Sequence, residues 1–140
     1  MTRRGVAVAA ACAALFAPAG LMAAATATPD HVRTITITVH FSRFDLASLQ
    51  VARGETVRFV VSNQDPIDHE LLVGDVETQE VHESGTEARH GTRPGEVSVP
   101  AGATVVTTFT FPDELDSGWE FACHLPGHYD YGMRGPITLG

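Results

Sequence analysis

Apolar and polar residues alternate along most of the chain beyond residue 30, with a period of about two rather than about 3.6 residues. In residues 34–41, Ile, Val and Phe occupy every second position up to Phe41, with Thr or His between them. This pattern is typical of a strand with one face buried against a core. Further strands are predicted for residues 56–62, 69–73, 96–99, 104–111, 118–124 and 134–139, and a looser strand or bent connection for residues 44–51.

Short segments rich in Gly, Pro, Asn and Asp separate the predicted strands and indicate turns. No amphipathic stretch of about 10–15 residues lies between consecutive strands, which argues against parallel βαβ units. About seven to eight short strands with regularly spaced turns predict an all-β protein, a β-sandwich. The chain of 140 residues is long enough for one such domain and not comfortably for two.

Residues 75–95 interrupt the alternation, since they are polar and rich in Glu, His and Gly. We expect a polar loop insert there, with one helical turn near residues 78–83. The insert contains His82 and His90, with glutamates close to both. One interpretation is a solvated acidic loop. The other is a weak metal site or a surface that acquires metal, because imidazole and carboxylate ligands suit Cu(II) or Zn(II).

The N-terminus has the composition of a signal peptide. Arg3 and Arg4 precede an apolar run at residues 6–16, and small residues follow it. A transmembrane helix is the competing interpretation, but the run is shorter than the roughly 20 residues that a span requires. We therefore expect a cleaved signal peptide at residues 1–27 and a mature domain at residues 28–140. The mature chain would be exported to the periplasm or the extracellular space and would have no transmembrane segment.

Cleavage of the signal peptide would make the chain more acidic. The nine Lys and Arg fall to seven while the seventeen Asp and Glu remain, so the formal net charge becomes −10. Nucleic acids and anionic membranes select for basic proteins, so neither is expected as a partner. We expect a monomer whose partner proteins have a basic or neutral surface.

The cysteine content also changes with cleavage. Cys12 belongs to the signal peptide, which leaves Cys123 as the only thiol and excludes an internal disulfide. A free thiol outside the cytoplasm is exposed to oxidation. We therefore expect it to be buried, metal-bound or catalytic.

Cys123 begins the most informative motif of the chain, Cys-x4-His-x4-Met, which continues with His128 and Met133. A thiolate, an imidazole and a weak thioether are ligands of copper electron-transfer sites, which also use a second imidazole. His69, at the start of a predicted strand, is the candidate for it. Alone, each residue would be an ordinary buried thiol, surface histidine or core methionine. Their joint spacing in an exported all-β chain favours metal binding.

Two alternative chemistries would use the same residues. Structural zinc sites usually contain two or more cysteines, and Met is a poor zinc ligand. A nucleophilic Cys123 with His128 as its base would need a third group to orient the base, and the sequence offers no obvious one. We therefore expect copper as the cofactor and no enzymatic activity.

The segment at residues 123–133 resembles the C-terminal copper loop of the cupredoxins, the small blue copper proteins, with a spacing most similar to that of rusticyanin and sulfocyanin. Upstream, Val60-Val61-Ser62-Asn63 and His69-Glu70-Leu71 resemble the strand and the first histidine ligand of the family. The resemblance covers about residues 32–139. The C-terminal motif is highly specific, and the N-terminal half is much less so.

The resemblance implies a Greek-key β-sandwich with one type 1 copper ion per chain. His69 and His128 would bind through imidazole nitrogen, Cys123 as thiolate, and Met133 as the weak axial ligand. Such a protein would carry single electrons between redox partner proteins outside the cytoplasm. The alternative is a copper-handling protein that binds the metal for tolerance or delivery, because the same ligands serve both roles.

Two residues adjoin predicted ligands in the sequence: Glu70 follows His69, and His124 follows Cys123. Glu70 occupies a position where Asn or Ser often helps to hold the cysteine sulfur. Strand alternation predicts that its side chain points away from that of His69. By the same argument, His124 is expected to face away from Cys123, either behind the ligands or at the surface.

Overall fold

A computed structural model describes residues 32–85 and 93–140. The predicted signal peptide and His90 lie outside these ranges. The described residues form eight strands and one helix. In chain order these are β1 (Arg33–Val39), β2 (Leu49–Val51), β3 (Thr56–Asn63), β4 (His69–Gly74), α1 (Val76–Glu83), β5 (Glu96–Val99), β6 (Thr104–Thr110), β7 (Glu120–Ala122) and β8 (Arg134–Leu139).

The strands form two sheets that pack face to face. One has the order β1-β3-β6 and the other β2-β8-β7-β4-β5. The neighbours β1 and β3 are parallel, as are β2 and β8, and the remaining pairs are antiparallel. Between β1 and β3 the chain crosses to the other sheet to form β2, so the parallel pairing needs no crossover helix. The predicted all-β sandwich is confirmed.

The core lies between the sheets and is built from alternate residues of their strands. In β3, for example, Val57, Phe59 and Val61 are fully buried while the residues between them are at least partly exposed. Strand β4 differs, because all six of its residues are buried. It lies between β7 and β5, and its buried residues include the polar His69 and Glu70.

The first strand ends earlier than the alternation predicts. Phe41 was expected on the buried face, but it is 81% exposed. The backbone turns sharply there, since Phe41 and Ser42 have φ values of 55° and 50°. The Asp65 carboxylate accepts hydrogen bonds from both of their N–H groups, at 2.7 Å each. These bonds satisfy the backbone in the turn and direct the Phe41 side chain outwards.

The polar segment after β4 contains more helix than one turn. Helix α1 begins after Asp75, whose side chain accepts a hydrogen bond from the Thr78 N–H at 2.8 Å and caps the first turn. Its one buried residue is Gln79, whose amide donates to the Glu120 carbonyl at 3.1 Å. Because the buried residue is polar, the helix has no apolar periodicity for sequence analysis to detect. No helix in the described ranges is long and apolar enough to cross a membrane.

Candidate metal centre

The predicted ligands come from neighbouring strands of the five-stranded sheet. His69 is the first residue of β4, Cys123 directly follows β7, and Met133 directly precedes β8. Strands β4 and β7 are antiparallel with Leu72 opposite Ala122, so the end of β7 lies beside the start of β4. His128 lies on the connection from β7 to β8. The sheet register thus brings residues that are more than fifty positions apart to one end of the sandwich.

His69, Cys123 and His128 form a compact donor cluster. One candidate ligand atom of each lies within 4.8 Å of the others. The Cys123 Sγ and His128 Nδ1 atoms are 3.2 Å apart, and the two imidazole centroids are 4.8 Å apart. Donors that share one ion at bond lengths of about 2.0–2.3 Å lie roughly 3–4 Å from one another. A single metal ion therefore fits this cluster with little contraction.

Hydrogen bonds within the ligand loop fix its shape. The Cys123 N–H donates to the Met133 carbonyl at 3.1 Å, and the Met133 N–H donates to the His128 carbonyl at 2.9 Å. Gly127 and Gly132 have φ values of 84° and 87°, which side chains rarely tolerate. The backbone turns at both glycines. Met133 is fully buried in the same core cluster as Cys123.

His69 leaves one ring nitrogen available to a metal. Its Nε2 is bonded to the Asp65 carboxylate at 2.9 Å. Its Nδ1 is buried and has no hydrogen-bond partner among the described residues. Buried polar atoms nearly always have a partner, so an orphaned nitrogen next to a thiol and a second imidazole indicates a missing ligand. The donor set of two imidazoles and one thiol fits copper.

The electrostatics of the cluster depend on burial. Burial raises the pKa of the Cys123 thiol to about 12, although the N–H groups of Leu125 and Glu70 point at the sulfur and oppose the shift. Without a metal the thiol is therefore protonated, and a cation is needed to stabilise the thiolate. Burial, followed by the charge of His69, lowers the pKa of His128, which keeps its imidazole neutral and able to bind metal.

The pKa of the Asp65 carboxylate, which is bonded to the His69 ring, shifts in the opposite direction to that of the Cys123 thiol. Burial alone would raise the pKa of Asp65, but the N–H groups of Ser42 and Phe41, together with the His69 ring, lower it below its usual range. Asp65 is therefore ionised at neutral pH. Asp65 is not among the site residues predicted from the sequence, and its place four residues before His69 in a polar loop is only a weak signal.

Glu70 and His124 face away from the donor cluster, as alternation predicts. The buried Glu70 carboxylate accepts the His124 backbone N–H at 2.7 Å and is bonded to His82 Nε2 at 3.1 Å. The His124 ring is bonded to Gln79 Oε1 at 2.6 Å and stacks on Tyr129. Glu70 therefore connects β4, which begins with His69, to the backbone of His124, which directly follows Cys123.

The suggested second metal site is only partly within the described residues. His82 lies against Glu70, and its Nδ1 is 3.9 Å from the Glu96 carboxylate. His90 is outside the described ranges, so a site that combines it with His82 stays a prediction. Within those ranges, the donor cluster is the one group of three such residues close enough to hold an ion.

Comparison with known proteins places the donor cluster in context. Residues 33–140 match the family described as copper binding proteins, plastocyanin/azurin family. The chain is 38% identical over 100 residues to the copper-resistant cuproprotein CopI of Rubrivivax gelatinosus, a match that covers 69% of this chain and 59% of that protein. It is 30% identical over 139 residues to the protein of the same name from Pseudomonas aeruginosa, with 76% of each chain covered. The chain therefore spans less than two thirds of the Rubrivivax relative.

A solved structure supports the same fold. Auracyanin A, a blue copper protein from the photosynthetic bacterium Chloroflexus aurantiacus, aligns with a TM-score of 0.59 and 24% identity. The alignment covers 79% of this chain and all of auracyanin A. At this identity the likeness establishes the shared β-sandwich and its strand arrangement.

Proposed function

Since this chain belongs to the plastocyanin/azurin family of copper-binding proteins, we propose that it handles copper outside the cytoplasm and contributes to copper tolerance. The observation that carries the proposal is the donor cluster, in which His69, whose Nδ1 has no hydrogen-bond partner among the described residues, lies close to Cys123 and His128. Both bacterial relatives are named copper-resistant cuproproteins. Their names favour copper handling over electron transport, the role expected first from the ligand motif.

We assign one type 1 copper ion per chain to this centre. His69 and His128 would bind through Nδ1, Cys123 as thiolate, and Met133 as a weak thioether ligand. The bound ion would supply a positive charge and a one-electron redox couple. His69, Cys123 and Met133 are buried, so water is excluded from most of the site, while the partly exposed His128 offers the route by which copper enters.

The remaining parts of the proposal concern the whole protein. We propose an exported, monomeric, non-enzymatic protein. Its acidic surface would favour copper donors or acceptors with a basic or neutral face, since opposite charges accelerate encounter. The segment that would direct export lies outside the described residues.

A growth assay together with a visible spectrum tests the copper-handling role. A deletion strain of the source organism should become sensitive to copper, and the wild-type gene should restore tolerance. Cys123→Ser should fail to do so, and the purified variant should lack the strong thiolate–copper band expected near ~600 nm. His40→Asn, which removes an exposed histidine that is not one of the proposed ligands, is the matched control. Equal rescue by Cys123→Ser and wild type would contradict the proposal.

Electron transport is the second candidate, and one observation favours it. His128 is partly exposed while its Nδ1 lies 3.2 Å from the buried Cys123 sulfur, so its ring connects the site to the surface. Stopped-flow mixing separates the two roles. Net transfer of copper to an apo-acceptor supports copper handling. Rapid, reversible Cu(II)/Cu(I) conversion with a partner, without copper transfer, supports an electron carrier.

A further inference from the structure

Asp65 occupies a position behind the donor cluster that the sequence did not single out. It lies on the connection from β3 to β4, and its side chain is 6% exposed. Its carboxylate accepts three hydrogen bonds: from the Phe41 N–H at 2.7 Å, from the Ser42 N–H at 2.7 Å, and from His69 Nε2 at 2.9 Å. Three donors from two separate parts of the chain thus determine its orientation.

The backbone of Asp65 is held as firmly as its side chain. Its N–H donates to Asn63 Oδ1 at 2.9 Å. The Asn63 amide in turn donates to the carbonyls of Ile67, Val99 and Pro100, at 2.8, 3.0 and 3.1 Å. Asn63 is 2% exposed, so these bonds are protected from water. Asp65 is therefore a rigid acceptor, as a residue that orients a metal ligand must be.

This arrangement determines which nitrogen of His69 can bind a metal. With a carboxylate 2.9 Å from Nε2, that nitrogen must carry the proton, because two acceptors cannot share a hydrogen bond. The lone pair is then on Nδ1, which is buried and has no hydrogen-bond partner among the described residues. The His69 side chain is completely buried, so water cannot replace Asp65 in this role.

The charge of Asp65 also acts through the ring. A carboxylate that accepts the outer N–H of a ligating histidine increases the basicity of that ligand. A negative charge close to a metal also favours the more positive oxidation state. Glu70, 3% exposed and bonded to the backbone beside Cys123, places a second carboxyl group nearby.

We propose that Asp65 is a positioning residue that fixes His69 with Nδ1 towards the metal and biases the site towards Cu(II) over Cu(I). The inference rests on the copper site proposed above and deepens it. It means that Asp65 strengthens the binding of Cu(II) more than that of Cu(I).

The first test needs no copper. In the ¹⁵N spectrum of the apo-protein, His69 should show a protonated Nε2 and an unprotonated Nδ1 at pH 8. The opposite tautomer in the wild type would overturn the proposal without any variant. Because the tautomer is measured without copper, it tests the role of Asp65 independently of the copper spectrum. A wild type without the thiolate–copper band would overturn the proposed function, and the tautomer would still decide the role of Asp65.

The second test compares the affinities for Cu(II) and Cu(I) in matched variants. Asp65→Asn should weaken Cu(II) binding by about 10- to 100-fold, the range found when outer partners of metal ligands are removed. It should weaken Cu(I) binding less, so that the ratio of Cu(II) to Cu(I) affinity falls. Asp65→Glu, which keeps the charge, should recover most of the ratio. Asp45→Asn is the control, since Asp45 also accepts a backbone N–H, that of Thr38 at 2.8 Å, but is exposed and away from the cluster.

A purely structural role for Asp65 predicts a different pattern. Asp65→Asn would then lower the melting temperature of the apo-protein while the affinity ratio and the His69 tautomer stayed as in wild type. That outcome would overturn the proposal. A fall in the ratio for Asp65→Asn, with Asp45→Asn unchanged, would support it.

Discussion

At the scale of single residues, Cys123 combines a buried thiol with a metal-binding position. Since its pKa is raised to about 12, the thiol keeps its proton throughout the neutral range, and copper must displace that proton to bind. We predict release of about one proton per copper at pH 8 in the wild type, and none from this position in Cys123→Ser. Calorimetry in buffers with different ionisation enthalpies measures this number.

The same displacement gives copper binding a pH dependence. Below the thiol pKa, the apparent affinity should rise about tenfold per pH unit, because each binding event competes with one proton. His124→Asn is a suitable control, since His124 faces away from the cluster. A pH-independent affinity between pH 8 and 10 would show that the thiolate is not a ligand.

The residues of the centre differ in how far the sequence could reveal them. The spacing of Cys123, His128 and Met133 is local, so it can be recognised without knowledge of the fold. Asp65 acts through His69 and through the backbone at residues 41–42, and only the folded chain brings these together. Its role therefore leaves no pattern in the sequence.

At the scale of elements, α1 depends on its cap more than on apolar packing. We predict that Asp75→Ala lowers the free energy of unfolding by about 1 kcal/mol, because the Thr78 N–H loses its acceptor. Glu80→Ala, which removes an exposed carboxylate from the middle of the same helix, should change it by less than about 0.5 kcal/mol. Urea denaturation measures both, and equal effects would contradict the capping role.

The cap should also make stability depend on pH. The side-chain and backbone hydrogen bonds from Thr78 lower the pKa of Asp75 below its usual value. A lowered folded-state pKa stabilises the protein above the unfolded-state pKa, and this contribution disappears as the pH falls through the folded-state value. The difference in stability between wild type and Asp75→Ala should therefore shrink on acidification below about pH 4.

Strand β8 approaches its neighbours so closely that one of its positions requires glycine. A Cβ atom at Gly135 would overlap the Phe121 ring and lie 2.8 Å from the Ala47 carbonyl oxygen. We predict that Gly135→Ala lowers the free energy of unfolding by about 1–3 kcal/mol through overpacking. Thr138→Ala, on the exposed face of the same strand, should have little effect. Chemical denaturation measures both variants, and their midpoints can be compared directly when the slopes of the curves are equal. Similar midpoints for Gly135→Ala and Thr138→Ala would contradict the prediction.

Strands β5 and β8 were predicted to the residue, whereas β7 is shorter than the strand predicted at residues 118–124. Errors arose where a distant side chain determines the backbone. The turn after β1 depends on Asp65, which is more than twenty residues away, and this contact directs Phe41 outwards. Helix α1 was underestimated because it buries a glutamine rather than an apolar stripe.

At the scale of the whole molecule, the sequence predicted two packed sheets but not their strand order. Alternation shows which face of a strand is buried and carries no information about its neighbours. The parallel pairing of β1 with β3 places Ile37 beside Val61, and the parallel pairing of β2 with β8 makes β2 an edge strand of the other sheet. Such pairings depend on packing between residues that are far apart in the sequence. The alternation of apolar and polar residues within one strand contains no information about that packing.

The metal centre should contribute to the stability of the entire sandwich. At a free copper concentration 100-fold above the dissociation constant, binding to the native state alone adds about 2.7 kcal/mol. We predict a higher melting temperature for the copper-loaded protein than for the apo-protein, with the gain lost in Cys123→Ser. Differential scanning calorimetry at several copper concentrations measures it. Identical melting of the loaded and copper-free wild type would contradict the assigned centre.

The bonds that close the ligand loop on itself have a consequence for evolution. Three of the four proposed ligands lie on one connection between adjacent strands, whose ends are joined by the bond between the Cys123 N–H and the Met133 carbonyl. Codons gained or lost inside this connection would change the metal geometry while every strand stays in register. A lineage can therefore exchange one copper chemistry for another within a single short stretch of its gene. Loop-exchange variants should accordingly keep the melting temperature of the apo-protein while their copper spectra differ.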